Sequence, residues 1–166
     1  RQLHYSTKNE NSIDVTLSLN GIPVATVELK NPMSGQNAEH AKHQYRSDRD
    51  PREKIFEFKK RTLVHFAVDP DVVYMATKLD GTKTHFLPFN KGEGTGAGNP
   101  DNPNGYKTAY LWEQVFQRDS FLDILARFIH LHVDEKTVGG KKIRKESMIF
   151  PRYHQLVAVR MLEADA

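Results

Sequence analysis

The sequence predicts an α/β fold, a mixed sheet flanked by helices, and three observations carry that expectation. Two neighbouring segments, Asn11 to Leu19 and Ile22 to Lys30, alternate polar and apolar residues with a period of two around Asn20-Gly21, as the strands of a hairpin do. Ala38, Ala41 and Tyr45 follow at helical spacing, enough to lay one apolar stripe on a sheet. Strand-like runs then return at Thr62–Val68, Val72–Thr77 and Thr84–Leu87, joined by Asp69-Pro70-Asp71 and Asp80-Gly81 turns. A sheet of about five strands is expected.

Parity within the hairpin gives the first functional signal. Side chains alternate faces along a strand, so Asp14, Thr16 and Ser18 are set against Ile13, Val15, Leu17 and Leu19. In the second strand Thr26, Glu28 and Lys30 share one face, with Ala25, Val27 and Leu29 on the other. A loop made only of Asn20 and Gly21 would place Asp14 opposite Val27 and mix the two faces. A three-residue connection, with Gly21 left-handed and a G1 bulge, shifts the pairing by one and gathers the polar residues. Pro23, which has no amide hydrogen for the ladder, suits a bulged or edge position.

In that register Asp14 is diagonal to Glu28, roughly 7–8 Å away along the backbone, and Lys30 follows on the same side. Hard Mg²⁺ takes such oxygen ligands and retains several waters, and the Leu29 carbonyl is a third candidate ligand. Lys30 would orient the attacking water and face a phosphate. An exposed sheet face also carries charge simply because water solvates it. The chain holds a second Glu-x-Lys, Glu57-Phe58-Lys59, but no alternating strand with a partner Asp precedes it.

From Asn37 to about Arg49 the stripe predicts a helix that stops before Pro51. Lys42, Arg46, Arg49 and Arg52 recur at helix-compatible steps after the hairpin, either as phosphate contacts or as a solvated face, since Asp48, Asp50, Glu53 and Glu57 are interleaved. Asn90 to Gly105 reads as loop; its glycines form no Gly-x-x-x-x-Gly-Lys-Ser/Thr phosphate cradle. Short helices are expected at Thr108–Gln114 and Ser120–His130, Lys141 to Lys145 as a basic loop, and an amphipathic helix after Pro151. The 166 residues suffice for one core of ordinary size, and the formal charge of +3 is too mild to imply a polyanion partner by itself. With no cysteine there can be no disulfide and no thiolate zinc site. The absence of any long apolar run or charged-then-apolar leader sets the expectation of a cytoplasmic chain without a membrane partner.

Asp14 followed by Glu28-Leu29-Lys30 resembles the D…ExK form of the PD-(D/E)xK nucleases, with Ile13 where the usual proline stands. Beyond those residues, NGIPVATVELKNP, HQYRSDRDPREKIFEF, RTLVHFAVDPDVVYMATKL, GAGNPDNPNGY and YLWEQVFQRDSFLDILARFIH are similar to the nuclease region of the R subunit of type I restriction enzymes. The resemblance implies a restriction-endonuclease-like core over residues 1–90, a Gly/Asn/Pro-rich loop over 91–107 and a helical lead-in, 108–166, to a motor domain absent from this chain. It implies Mg²⁺-dependent cleavage of double-stranded DNA by Asp14, Glu28 and Lys30, with ATP used only by the full-length subunit, in a complex with methyltransferase and specificity subunits. Many such nucleases carry Gln-x-x-x-Tyr on the next helix. Here His43-Gln44-Tyr45-Arg46 does not keep that spacing, and Gln44 and Tyr45 stand as candidate DNA contacts beside Lys42, Arg46 and Arg49. Gln155 would contact adenine in the full-length protein. The alternative is a nucleic-acid-binding or assembly module, inactive as an isolated fragment.

Overall fold

A computed structural model describes residues 2–94, 96–139 and 141–165. Its elements are β1 (Leu3–His4), β2 (Ser12–Ile13), β3 (Val15–Leu19), β4 (Ile22–Leu29), α1 (Ala38–Ser47), β5 (Val64–Val68), β6 (Val73–Ala76) and β7 (Leu87–Pro88). They continue with a π-helical turn at Leu111–Val115, α2 (Arg118–Asp123), a second π-helical turn at Ile124–Phe128, β8 (His130–Val138), β9 (Lys141–Ile149) and α3 (Tyr153–Ala164). The central sheet has five strands in the order β3-β4-β5-β6-β7, with β4 and β5 parallel and the other neighbours antiparallel.

The hairpin reaches the expected register by a different device. Leu19 pairs with Ile22 across Asn20 (φ 49°) and Gly21 (φ 80°), a two-residue turn with both central residues left-handed. The irregularity lies further in: Ser18 faces Pro23 and Leu17 faces Ala25, so Val24 is the extra residue. Thr16 then meets Thr26 and Val15 meets Val27, and like faces like. The expected common face for Ile13 and Val15 does not form. A bend at Asp14 interrupts the strand, so Ile13 packs with Ala41 and Tyr45 while Val15 and Leu17 pack on the opposite cluster.

One face of the sheet meets the later part of the chain. Phe66 stands there edge-on to Phe89, Phe116 and Phe150 at centroid separations of 5.6, 5.2 and 5.8 Å, and Leu111, Ile124 and Leu156 close the same cluster. The other face is covered by α1, whose Ala38, Ala41 and Tyr45 are buried as the stripe predicts. Asn37 caps this helix, its side chain accepting from the Glu39 and His40 amides. Asp69 ties the helix start to the sheet, accepting from the Ala38 amide and from the Asp71 and Val72 amides at 2.8 Å each.

Lys141 to Lys145, expected as a loop, instead opens β9, which pairs with β8 over nine residues. Gly140 lies outside the described residues. The Thr77 hydroxyl, donating to the Met148 carbonyl at 2.7 Å, and an ion pair between Lys59 and Glu146 tie this hairpin to the body. The stretch expected to be helical beyond residue 108 is therefore interrupted by strands. Among the described residues no helix is long and apolar enough to cross a membrane.

Between α1 and the sheet a polar thread is sealed inside apolar packing. The Thr26 hydroxyl bonds the Tyr45 hydroxyl at 2.9 Å and His65 Nδ1 at 2.8 Å. Burial drives the His65 pKa down to about 3, so the imidazole stays neutral in the fold while the unfolded chain takes up a proton below about 6.5. Stability is thus fully present above that value and is lost as pH falls toward 3. In urea titrations between pH 7 and 4, His65→Asn should flatten the acid-side slope by up to about 1.36 kcal/mol per pH unit relative to wild type. Parallel slopes would contradict the neutral, buried assignment.

Candidate functional site

Glu28 lies near the carboxyl end of β4, opposite Ala67 of β5 and fully buried. Strand alternation turns it toward α1, where Arg49, just past the helix, reaches it. Arg49 Nε and Nη2 both donate to Glu28 Oε1, at 2.8 and 2.6 Å. Nη2 also donates to the Ser12 carbonyl at 2.8 Å, and the guanidinium lies over the Tyr5 ring. One carboxylate oxygen is thereby doubly bonded, while the buried Glu28 Oε2 has no hydrogen-bond partner among the described residues.

Asp14 occupies the bend before β3. Its Oδ2 accepts from the Leu29 amide at 2.9 Å and its Oδ1 from Gln2 Nε2 at 3.4 Å, which closes the place where the ladder stops. Burial pushes the Glu28 pKa up to about 7; Arg49 pulls it down, and the like charge of nearby Asp14 raises it. Burial first, and then the Glu28 charge, also keeps the Tyr45 phenol well above its usual pKa.

Lys30 continues the strand one residue past β4, its amide donating to the Val68 carbonyl at 2.9 Å. Continued alternation would set its side chain on the side of Glu28, and the residue, one past the strand end, also lines a cleft with Leu29 and Val68. It is half-buried and, among the described residues, forms no ion pair. The same alternation directs the Leu29 carbonyl with its amide toward Asp14. No group of three or more Asp, Glu, His or Cys residues suited to a metal exists among the described residues. Mg²⁺ does not require one, because it is commonly held by one or two carboxylates and keeps several waters. The unpartnered Glu28 oxygen, the neighbouring Asp14 and an outward carbonyl fit such an ion.

The helix residues expected to touch DNA are placed otherwise. Tyr45 has no exposed surface and is bonded to Thr26, so it is a core residue. Arg49 is buried as the partner of Glu28. Lys42 is also buried: its ammonium lies 3.9 Å from the Tyr74 ring centre and pairs with Glu39. Arg46 spends Nε and Nη2 on the Thr84 carbonyl, both at 3.2 Å. Charged heads here cap or cross the buried side of α1, and their stems fill space that water would otherwise occupy. Gln44 keeps a free group there, its buried Oε1 having no partner among the described residues. Gln155 Oε1 accepts from the Arg152 amide at 2.9 Å and so caps α3. The role of Arg49 was visible as a continuation of the 38, 41, 45 stripe by four residues.

A mixed α/β protein with a buried glutamate beside a partly exposed aspartate at the end of a central strand is the class these features define. The family profile of the type I restriction enzyme R protein N terminus matches residues 1–84, and the chain belongs to that family. No curated protein and no solved structure matches it. The match covers β1 through β6, and therefore Asp14, Glu28, Lys30 and Arg49.

Removing Arg49 strands a carboxyl group in the interior. Arg49→Met should cost about 3–5 kcal/mol in urea unfolding. The deficit should grow as pH rises through 7, because the fold favours protonated Glu28 and that preference opposes the unfolded chain's ionisation above about 4.5. Adding Glu28→Gln should recover much of the loss; a single-variant cost below about 1 kcal/mol would refute the pairing.

Proposed function

We propose that this chain is the DNA-cleaving unit of a type I restriction R protein, with a restriction-endonuclease-like core and Asp14, Glu28 and Lys30 as its active site. The observation that carries the reading is the free Glu28 oxygen, buried beside Asp14 at the end of the strand that leads into Lys30. Buried oxygens seldom go without a hydrogen-bond partner, and this one, among the described residues, is open to a ligand.

Asp14, Glu28 and the Leu29 carbonyl would hold Mg²⁺. Bound there, it supplies acidification of a water and charge neutralisation at a phosphodiester oxygen. The protein's own groups do the rest. Arg49 positions Glu28 by fixing Oε1, so that Oε2 keeps its direction. Lys30 stabilises negative charge that grows on the phosphate as the attacking water oxygen adds and the bond from phosphorus to the 3′ oxygen breaks, that oxygen leaving with a proton from solvent and the 5′ end keeping the phosphate. Glu28 near neutrality and unpaired on one side would be drawn to its ionised form by a cation.

Double-stranded DNA is the substrate in this reading, methyltransferase and specificity subunits are the partners, and ATP belongs to motor domains of the full-length subunit. The structure bears on how the unit is built: the segment after residue 108 contributes Leu111, Ile124 and Leu156 to the same cluster as the sheet. Nuclease core and lead-in therefore share one interior.

The test is nicking of supercoiled plasmid against Mg²⁺ concentration, with the R protein that carries this N-terminal region. Glu28→Ala and Lys30→Ala should each lower the rate by about 100-fold or more. Nicking at the wild-type rate in either variant would remove the catalytic assignment, and DNA binding without cleavage in the wild type would favour an assembly module.

A further inference from the structure

A second feature lies against the same strand end. At the carboxyl ends of β4 and β5 is a cleft of about 310 Å³, walled by Lys30, Asn31, Val68, Pro70, Tyr106 and Trp112. Two of its walls are exposed aromatic rings: Tyr106 is 68% and Trp112 36% accessible. Large aromatic surface is normally buried, so an open pair around one cleft needs a cause.

Packing does not supply one, because both ends of the segment are already anchored. Trp112 is braced edge-on by Phe116 at 5.4 Å, which in turn meets Phe66 in the core at 5.2 Å. The Thr108 hydroxyl donates to the Asp69 carbonyl at 2.9 Å and its amide to the Pro70 carbonyl at 3.3 Å. The rings are thus held open on a fixed backbone. Charge is arranged with equal economy. Asp69, also at the cleft, keeps its charge but has its carboxylate oxygens taken by the Ala38, Asp71 and Val72 amides, so that Lys30, the cationic residue of the lining, has no ion-pair partner among the described residues. Asn31 turns Oδ1 to the Met33 amide at 2.9 Å, leaving its NH₂ for a polar edge.

We propose that this cleft binds one unstacked nucleobase of a DNA strand, against Tyr106 and Trp112, with the adjoining phosphate drawn to Lys30. Flat apolar walls accept any base through its π face, a side-chain amide meets a base edge, and the single cation meets the single charge that accompanies each base. A base paired inside a duplex cannot present its face to a cleft, so the favoured substrate is a strand that is locally unpaired beside the cleavage point. The position of that phosphate at the reacting centre rests on the nuclease reading above; the stacking does not.

Trp112 is the only tryptophan of the chain, so its emission reports this cleft alone. With EDTA present to prevent cleavage, a short oligothymidylate and a duplex of equal length are titrated into the protein, following tryptophan emission and the anisotropy of labelled DNA together. Single strands should quench Trp112 and duplex should not, and Tyr106→Ala should weaken single-strand binding roughly 5- to 150-fold, the range for one base–aromatic stack. Oligothymidylate that binds with unchanged emission, that fails to bind, or that binds Tyr106→Ala as well as wild type overturns the proposal. The two readings separate cleanly. Wild-type nicking by Glu28→Ala with quenching intact removes the nuclease assignment only, whereas Glu28-dependent nicking without quenching removes the base site only.

Discussion

The rest of the structure depends on a carboxylate with no exposed surface, held by one guanidinium in the middle of the fold. Burying Glu28 is costly, and Arg49 offsets that cost while bonding one of its two oxygens. A buried pair of this kind is a poor way to gain stability, since apolar residues of equal size would do as well or better. What it does is fix a direction. Arg49 is itself pinned by the Ser12 carbonyl and the Tyr5 ring, so the unbonded Glu28 oxygen is aimed by three elements at once.

Sheet geometry then determines what else can stand near that oxygen. Val24 supplies the extra residue that brings Thr16 opposite Thr26, and the bend at Asp14 brings the second carboxylate onto the Leu29 amide. Because β4 and β5 are parallel, their carboxyl ends coincide, and the chain beyond them opens the cleft in which Lys30 and Trp112 sit. In open sheets that crevice is where ligands are commonly bound. Covering both faces leaves the strand ends as the accessible part of β4 and β5.

Much of this was legible in the residues. The period-two alternation gave both strands and the polar grouping, and the 38, 41, 45 stripe gave α1 with the residues that bury it. The turn type was misjudged because register shift and loop length are separable: Val24 absorbs the shift inside the strand, and nothing local marks it. The bend at Asp14 was hidden for a related reason, since Ile13 and Val15 are both apolar and both buried surfaces want them. The basic residues of α1 were read as a solvated or phosphate-facing side because spacing cannot distinguish a charge on water from one whose stem fills a gap. Arg49 is the instructive case: its step of four from Tyr45 extends the buried stripe, and its partner there is Glu28 of the acid–lysine motif. The β8–β9 hairpin was missed because Lys141 to Lys145 is charged throughout apart from Ile143, and its strand character comes from pairing.

The most direct test of this account is divalent-cation binding at the acid pair, read by the electron paramagnetic resonance of Mn²⁺ added to the chain. One ion should bind per chain, and Asp14→Asn and Glu28→Gln, which preserve size and can keep an acceptor for the Leu29 amide and for Arg49, should each weaken it markedly, with folding followed by circular dichroism. Failure of the wild-type chain to bind Mn²⁺, or equal binding by either variant, would contradict the claim that the free Glu28 oxygen and Asp14 form a cation site.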